Sequence, residues 1–485
     1  MYIGIDLGTT GVKVILVDKD GNVINSVTEN YELLTPKPLW TEQNPEIWYN
    51  STLEALKNCI RGYEERIKAL SFSGQMHGLV ILDKDDRVIR PAILWNDQRT
   101  IVETNEINNS ITVEKLILET GNIALTGFTA PKILWVKNNE FKNFKNIRKI
   151  MLPKDYLVYK LTNKFVTDVT DISGSLLFNV ENKIYSQTIL DFLGINIKQL
   201  PKVLESNEVI GFIDKTILEE LNIKNDVKVI VGGGDQAIGA IGTGTVNDGD
   251  INISLGTSGV VFVASDKYSV DKKSFIHSFA HANNKYHLMG VTLAAAGSFK
   301  WWKESFLPNK SYNEIFDDLV KTDIDDSIYY LPYISGERSP INNPLAKGTF
   351  CGFTSIHKIE NFSRAVIEGV VYSLRHCYEV IKGLNGHSNQ IRITGGGSKN
   401  DHWCQMVADI FNIEVQKPRV TEGSSLGAAI MAMVGDGLYK NVTDACRDIV
   451  KVEKEFIPNE KNVLIYQKKY ACYLQLYENI KPFFT

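Results

Sequence analysis

One eight-residue phrase nearly repeats in this chain, with six of its eight positions identical. Ile5-Asp6-Leu7-Gly8-Thr9-Thr10-Gly11-Val12 returns as Ile253-Ser254-Leu255-Gly256-Thr257-Ser258-Gly259-Val260, an offset of 255 − 7 = 248 in 485 residues. Each copy reads as an apolar strand, a Gly-Thr turn and a second apolar strand. A hairpin repeated half a chain later implies a duplicated folding unit, with the two hairpins expected to face one another across a cleft. Length agrees, because single hydrophobic cores stop growing at about 250 to 300 residues. Two α/β domains are expected, 1–246 and 247–485, parted near the turn Asn247-Asp248-Gly249.

A Gly-Thr turn suits phosphate. Gly8, Gly11, Gly256 and Gly259 are expected to adopt positive φ and admit a ligand close to the backbone, while the Thr and Ser hydroxyls and exposed amides donate hydrogen bonds. Either copy alone reads equally well as an ordinary tight hairpin. The pair, together with a third glycine-rich turn at Gly395-Gly396-Gly397, favours a nucleotide triphosphate.

Between these turns the chain alternates strands and helices. Asn44 as cap and Pro45 at the first helical position predict a helix over 45–61, followed by a strand over 69–73. That strand runs into the loop Gly74-Gln75-Met76-His77-Gly78, and a strand over 227–231 runs likewise into Gly232-Gly233-Gly234-Asp235-Gln236 and a helix. The second half predicts a long helix over 359–384, a strand over 390–393, and a helix bearing Asn400, Trp403, Met406 and Ile410. Loops at strand ends are where open α/β sheets place their ligands.

Composition removes several classes. A hydrophobic content of 44% and a charged content of 23% are those of an ordinary globular protein, and a net charge of −4 gives no basic footprint for nucleic acid or an anionic membrane. No run of about 18 apolar residues is present. The six cysteines form no Cys-x-x-Cys pair and no zinc-like spacing with histidine, so they read as reduced thiols. Met1-Tyr2-Ile3-Gly4-Ile5 opens as a strand without a secretory pattern, which predicts a cytoplasmic protein.

Taken together, the two Gly-Thr hairpins, the triplet at 395–397 and Asp235 after its own glycine triplet resemble the ATPase superfamily of actin, the heat-shock 70 chaperones and the sugar kinases. Within it the chain resembles the FGGY carbohydrate kinases over nearly its whole length. The resemblance rests on Asp6 to Lys13, Gly74-Gln75-Met76-His77-Gly78, Leu94-Trp95-Asn96-Asp97-Gln98-Arg99, Gly127 to Trp135, Pro153-Lys154-Asp155-Tyr156, Gly232 to Asp235, Leu331 to Arg338, and Gly395 to Asn400. It implies two duplicated ribonuclease H-like, actin-like ATPase domains with a cleft between them, ATP as co-substrate and Mg²⁺. The implied partners are a sugar and ATP, with a homodimer as the assembly.

Phosphoryl transfer asks for positioning, charge neutralisation and an acceptor for the hydroxyl proton. Asp235 is the candidate base, with helix N-capping as its bland reading. The resemblance implies that Asp6 supports Mg²⁺ through water, with Asp235 as a second carboxylate near the ion. The second hairpin carries Ser254 in place of Asp6, so only the first holds a metal-supporting acid. Thr9, Thr10 and Lys13 are assigned to the transferring phosphate, Gly256 and Thr257 to the β-phosphate side, and Gly395, Gly396, Gly397 and Asn400 to the adenosine end.

Gln75, Met76 and His77, with Trp95 and Asp97, offer an amide, a thioether, an imidazole, an aromatic wall and a carboxylate, a mixture that binds polyols. Their pattern resembles the family members that phosphorylate D-xylulose at its C5 hydroxyl, with a related ketopentose, polyol or gluconate as alternatives. His277, His281 and His287 read as structural, and Trp301-Trp302 and the aromatic C-terminus as core or interface. A chaperone-like ATPase would leave Gln75-Met76-His77 and Trp95 to Arg99 unexplained. A dinucleotide-dependent dehydrogenase, suggested by Gly232-Gly233-Gly234-Asp235-Gln236-Ala237, would leave the duplicated turns unexplained.

Overall fold

The computed structural model describes residues 1–324, 327–419 and 423–484, which divide into two compact units. The first comprises Met1–Val246, Ser278–Tyr286 and Glu422–Val450, and the second Asn247–His277, His287–Thr421 and Lys451–Thr485. The linear division at 246 therefore does not hold throughout, because two later segments return to the first unit.

In the first unit, β1 (Tyr2–Leu7), β2 (Gly11–Val17) and β3 (Val23–Asn30) form an antiparallel meander. β4 (Ala69–Gly74) runs parallel to β1, and β5 (Val209–Phe212) and β6 (Lys228–Ile230) complete the order β5-β6-β4-β1-β2-β3. β1 and β4 are buried along almost their whole length because a central strand is covered on both faces, whereas edge strand β3 alternates exposed and half-buried residues. Helix α1 (Pro45–Cys59) begins as its sequence dictates, with Asn44 Oδ1 accepting from the Glu46 amide at 3.1 Å. A short strand, Gly233–Gly234, pairs with Ser73 and Gly74 at the end of β4, and α2 (Asp235–Thr243) follows it directly.

The second unit repeats this plan. β7 (Ile251–Leu255) and β8 (Gly259–Ser265) form the antiparallel hairpin, with β9 (Tyr286–Thr292) next to β8. Helices α3 (Ala296–Phe306) and α4 (Ile359–Asn385) precede β10 (Ile391–Thr394), which lies parallel to β7. α5 (Asp401–Phe411) leads to β11 (Val415–Pro418), parallel to β10. The order β9-β8-β7-β10-β11 ends in an antiparallel strand, β12 (Val452–Phe456), as the first sheet ends in β5. Strand order thus repeats from one unit to the other, as do the antiparallel hairpin, the two parallel strands beside it and the antiparallel end strand, which is the expected duplicated ribonuclease H-like architecture.

Helix α6 (Gly423–Asp436) is the segment that returns to the first unit, where it packs on β1, β4 and α2. The approach is backbone to backbone. A Cβ on Gly4 would lie 1.9 Å from the Ser425 carbonyl oxygen, and one on Gly427 would lie 1.9 Å from that of Ile238. The core of the first unit gathers Ile5, Val14, Leu70, Phe72 and Val229, and that of the second Ile253, Val261, Leu374 and Ile393. Trp302 and the C-terminal tyrosines 466, 470 and 473 pack in the second core. Among the described residues no helix is long and apolar enough to cross a membrane.

Candidate active site

In the first hairpin Asp6 pairs with Lys13 and Leu7 with Val12 across the antiparallel register. The carbonyls of the turn are all taken by protein groups. Gly8 O accepts from Tyr31 Oη at 2.6 Å, Thr9 O from Gln43 Nε2 at 2.7 Å, and Thr10 O from the Tyr31 amide at 3.1 Å. Because the C=O and N–H of a trans peptide point oppositely, the amides of Thr9 and Thr10 are directed away from these partners, as an anion site requires. The glycines do this without unusual torsions. Gly8, Gly11, Gly256 and Gly259 all keep φ outside the left-handed region, which corrects the expectation of positive φ.

The two hairpins also close differently. The second pairs Leu255 with Gly259 and Ser254 with Val260, one residue out of step with the first, so its turn is the tighter one. Near-identical words therefore give two different turns.

Around the first turn the sugar-side candidates form one connected set. Trp95 Nε1 donates to Thr9 Oγ1 at 2.9 Å, Thr9 Oγ1 donates to Gln75 Oε1 at 3.3 Å, and Gln75 Nε2 donates to Gly8 O at 3.3 Å. Gln75 and Met76 are buried, and Met76 packs against Gly234, where a Cβ would lie 2.9 Å from its Cγ. His77 sits in the left-handed region at φ 68° and stacks on Phe128 at 4.8 Å. Its Nδ1 lies 2.6 Å from Gly174 O, so Nδ1 carries a proton and Nε2 is the acceptor in the neutral ring.

The His77 peptide is clamped by a residue to which the sequence assigns no role. Lys132 Nζ donates to His77 O at 2.8 Å and to Gly127 O, and Thr129 Oγ1 donates to His77 O at 3.1 Å. Burial pushes the Lys132 ammonium down to about 7. The available signal was a lysine inside the apolar run Ala130 to Val136. Asp97, assigned to the sugar from sequence, is fully buried and turned inward. Its oxygens accept from the Thr41 amide at 2.6 Å and from Arg99 Nε and Nη2 at 2.9 and 2.7 Å, so it holds the loop that carries Trp95.

Asp235 is the first residue of α2, and Gly234, not Asp235, occupies the cap position. Its half-buried carboxyl is pushed up to about 7, first by burial and then by the charge of Asp6. A carboxylate whose proton affinity is raised by the charge of a second one is suited to share a hard divalent cation with it, phosphate oxygens and water. The residues present therefore fit Mg²⁺.

In the second unit the nucleotide-side candidates surround a cavity of about 590 Å³, within the range of small-molecule sites. Gly256, Thr257, Gly396, Gly397 and Asn400 line it. Gly395 lies just outside, as a left-handed turn at φ 86° against Leu255. Asn400 also caps α5, its Oδ1 accepting from the amides of His402 and Trp403 at 3.0 and 3.2 Å. Phe299, Lys300, Tyr312 and Phe316 complete the wall, none of them singled out from sequence. The Gly-Thr turn is fixed to the start of α3, where the Ala295 and Gly297 amides donate to Thr257 O and the Ala296 amide to Gly256 O. His281, by contrast, is structural as expected. Burial lowers it to about 4, and Nε2 bonds Thr245 O at 3.0 Å.

Two repeated α/β units, each with a Gly-Thr hairpin at its centre, define the actin-like ATPase class of sugar kinases. The chain belongs to the FGGY family of carbohydrate kinases, whose N-terminal domain matches residues 1–242 and whose C-terminal domain matches residues 251–435. A curated relative, the xylulose kinase of Lactococcus lactis, is 40% identical over 484 residues, covering 98% of this chain and 96% of its own. A solved kinase from Brucella ovis, described as a xyloylose kinase, superposes with a TM-score of 0.94 at 32% identity, covering 99% of both chains. A gluconate kinase from Lactobacillus acidophilus superposes with a TM-score of 0.95 at 28% identity, covering 99% of this chain and 98% of that one.

Proposed function

We propose that this protein transfers the γ-phosphoryl group of ATP to the C5 hydroxyl of D-xylulose. The xylulose kinases among its full-length relatives support the substrate. The observation that carries the chemistry is Asp235, a half-buried carboxyl with a proton affinity near neutrality at the start of α2, flanked by Gly234 and the Met76 loop. In this reading Asp235 accepts the C5 proton as that oxygen bonds to the γ-phosphorus and the bond to the β-phosphate oxygen breaks, releasing ADP.

The sugar-side residues His77 and Trp95 are solvent-accessible, whereas Gln75 and Met76 lie beneath them and set their positions. His77 and Trp95 are thus the groups proposed to touch the acceptor. Thr9, Thr10 and Lys13 serve the transferring phosphate, Gly256 and Thr257 the β-phosphate side, and Gly395 to Gly397 with Asn400 the adenosine end. Asp6 and Asp235 would hold Mg²⁺, which supplies neutralisation of phosphate charge when bound. A cytoplasmic location and a homodimer belong to the same reading. The free cysteines fit the first, and sedimentation velocity reads the second.

A coupled assay of ADP release over D-xylulose, D-ribulose, gluconate and glycerol tests the substrate. D-Xylulose is expected to give the highest kcat/KM, and faster turnover of gluconate would replace this acceptor with that of the Lactobacillus acidophilus neighbour. Sugar-independent ATP hydrolysis as the main activity would remove the kinase reading altogether.

A further inference from the structure

Behind Asp235 runs a line of buried polar contacts that the transfer step does not itself use. Lys154 is fully buried and ion-pairs with Asp155 at 2.8 Å and Asp168 at 3.1 Å. Asp168 Oδ2 accepts three hydrogens, from the Thr170 amide at 2.8 Å, the Thr170 hydroxyl at 2.5 Å and the Ser206 hydroxyl at 2.8 Å. A hydroxyl has one proton, and a carboxylate can only accept, so the Thr170 proton is committed to Asp168. The lone pairs of Thr170 Oγ1 then receive the amide N–H of Gly234 at 3.0 Å, in the Gly233–Gly234 peptide, one residue before Asp235.

There is no slack in this arrangement. Thr170, Asp168 and Lys154 are all fully buried, and a Cβ on Gly233 would lie 2.5 Å from Thr170 Oγ1. On its other side the Gly233–Gly234 segment is held by its pairing with Ser73 and Gly74. The peptide that launches α2 is thus fixed by the strand end on one side and by a charge-backed hydroxyl on the other.

We propose that Lys154, Asp168 and Thr170 are positioning residues for the transfer reaction, fixing the Gly234 peptide and through it the direction in which the Asp235 carboxylate leaves α2. The proposal rests on the reading of Asp235 as the base. A displacement of about 1 Å in a reacting group costs roughly 100-fold in rate, so one misdirected peptide is enough to show.

Thr170→Val removes the hydroxyl at constant shape. It is expected to lower kcat by about 10- to 100-fold while KM for ATP and for D-xylulose stays within about threefold. Thr170→Ser is expected to restore kcat to within about threefold of the parent. Ser206→Ala takes a different hydrogen from Asp168 without touching Gly234, and is expected to leave kcat within about threefold. A Thr170→Val enzyme with parental kcat, a failure of Thr170→Ser to restore it, or an equal loss in Ser206→Ala would each overturn the proposal. If Thr170→Val is not recovered folded, native-state hydrogen exchange of the Gly234 amide in the unsubstituted enzyme decides, protection supporting the bond and free exchange refuting it. Asp235→Asn is run alongside. If it is inactive while Thr170→Val is normal, only the positioning role falls, and if it turns over at the parental rate the base and the positioning role fall together.

Discussion

Trp95 donates its indole N–H to Thr9 Oγ1 over 2.9 Å, so the loop assigned to the sugar and the turn assigned to phosphate share a hydrogen bond. Loss of either partner is expected to disturb both functions. Trp95→Phe and Thr9→Val should each lower kcat/KM for the sugar by several-fold, and the double substitution should cost less than their sum. A coupling energy of about 0.5 to 1 kcal/mol is expected for a partly exposed hydrogen bond. Additive effects in the double-mutant cycle would show that the contact carries no function.

Gly396 separates nucleotide binding from folding. It lines the second-unit cavity, and a Cβ there would meet nothing within 4 Å. Gly396→Val should therefore leave the melting temperature within about 1 °C while raising KM for ATP by roughly tenfold or more, with KM for the sugar unchanged. Unaltered ATP kinetics, measured by initial rates at saturating sugar, would move the nucleotide elsewhere.

The protonation of Asp235 should be visible in both rate and stability. A base held up to about 7 is protonated below that pH, so kcat/KM should fall about tenfold per unit as pH drops below 7, far above the usual carboxylate range. Stability runs the opposite way. With the folded carboxyl raised above its unfolded value, ionisation disfavours the fold, and the cost grows as pH climbs from about 4 to 7 and is constant above. Asp235→Asn should therefore raise the melting temperature at pH 8 and lose that gain near pH 4, a difference of a few kcal/mol at most. A flat comparison in differential scanning fluorimetry across this range would contradict the shift.

Lys132 is expected to act on the sugar through His77. Lys132→Met removes the ammonium donor from Gly127 O, at a cost of about 1 to 3 kcal/mol for an unpaired buried acceptor, and leaves His77 O with the Thr129 hydroxyl as its remaining donor. Sugar KM should rise several-fold, with ATP KM unaffected. Parallel rises in both constants would identify a general loss of structure instead.

Local signals were readable from sequence and long-range ones were not. The N-cap of α1, the strand-to-loop junctions at Gly74 and Gly232, and both hairpins follow from short stretches of chain, and the structure places them where those stretches say. The inward turn of Asp97 depends on Arg99 and on Thr41, more than fifty residues away, so a carboxylate next to Trp95 looked like a ligand group. Trp301-Trp302 reads as core or interface, and Trp302 is core, yet the same helix also presents Phe299 and Lys300 to the cavity. The unequal register of the hairpins is set by single pairings that two stretches with six of eight letters identical do not announce.

The return of α6 to β1 carries a consequence for biosynthesis. One face of β1 is closed by a helix at residues 423–436, through a contact as intimate as Gly4 against the Ser425 carbonyl. Until that late segment emerges, the apolar surface of β1 and β4 has no lid, and a nascent chain stopped at the end of the first 246 residues would carry it bare. Completion of the first unit therefore waits on a segment that the second unit separates from it along the chain.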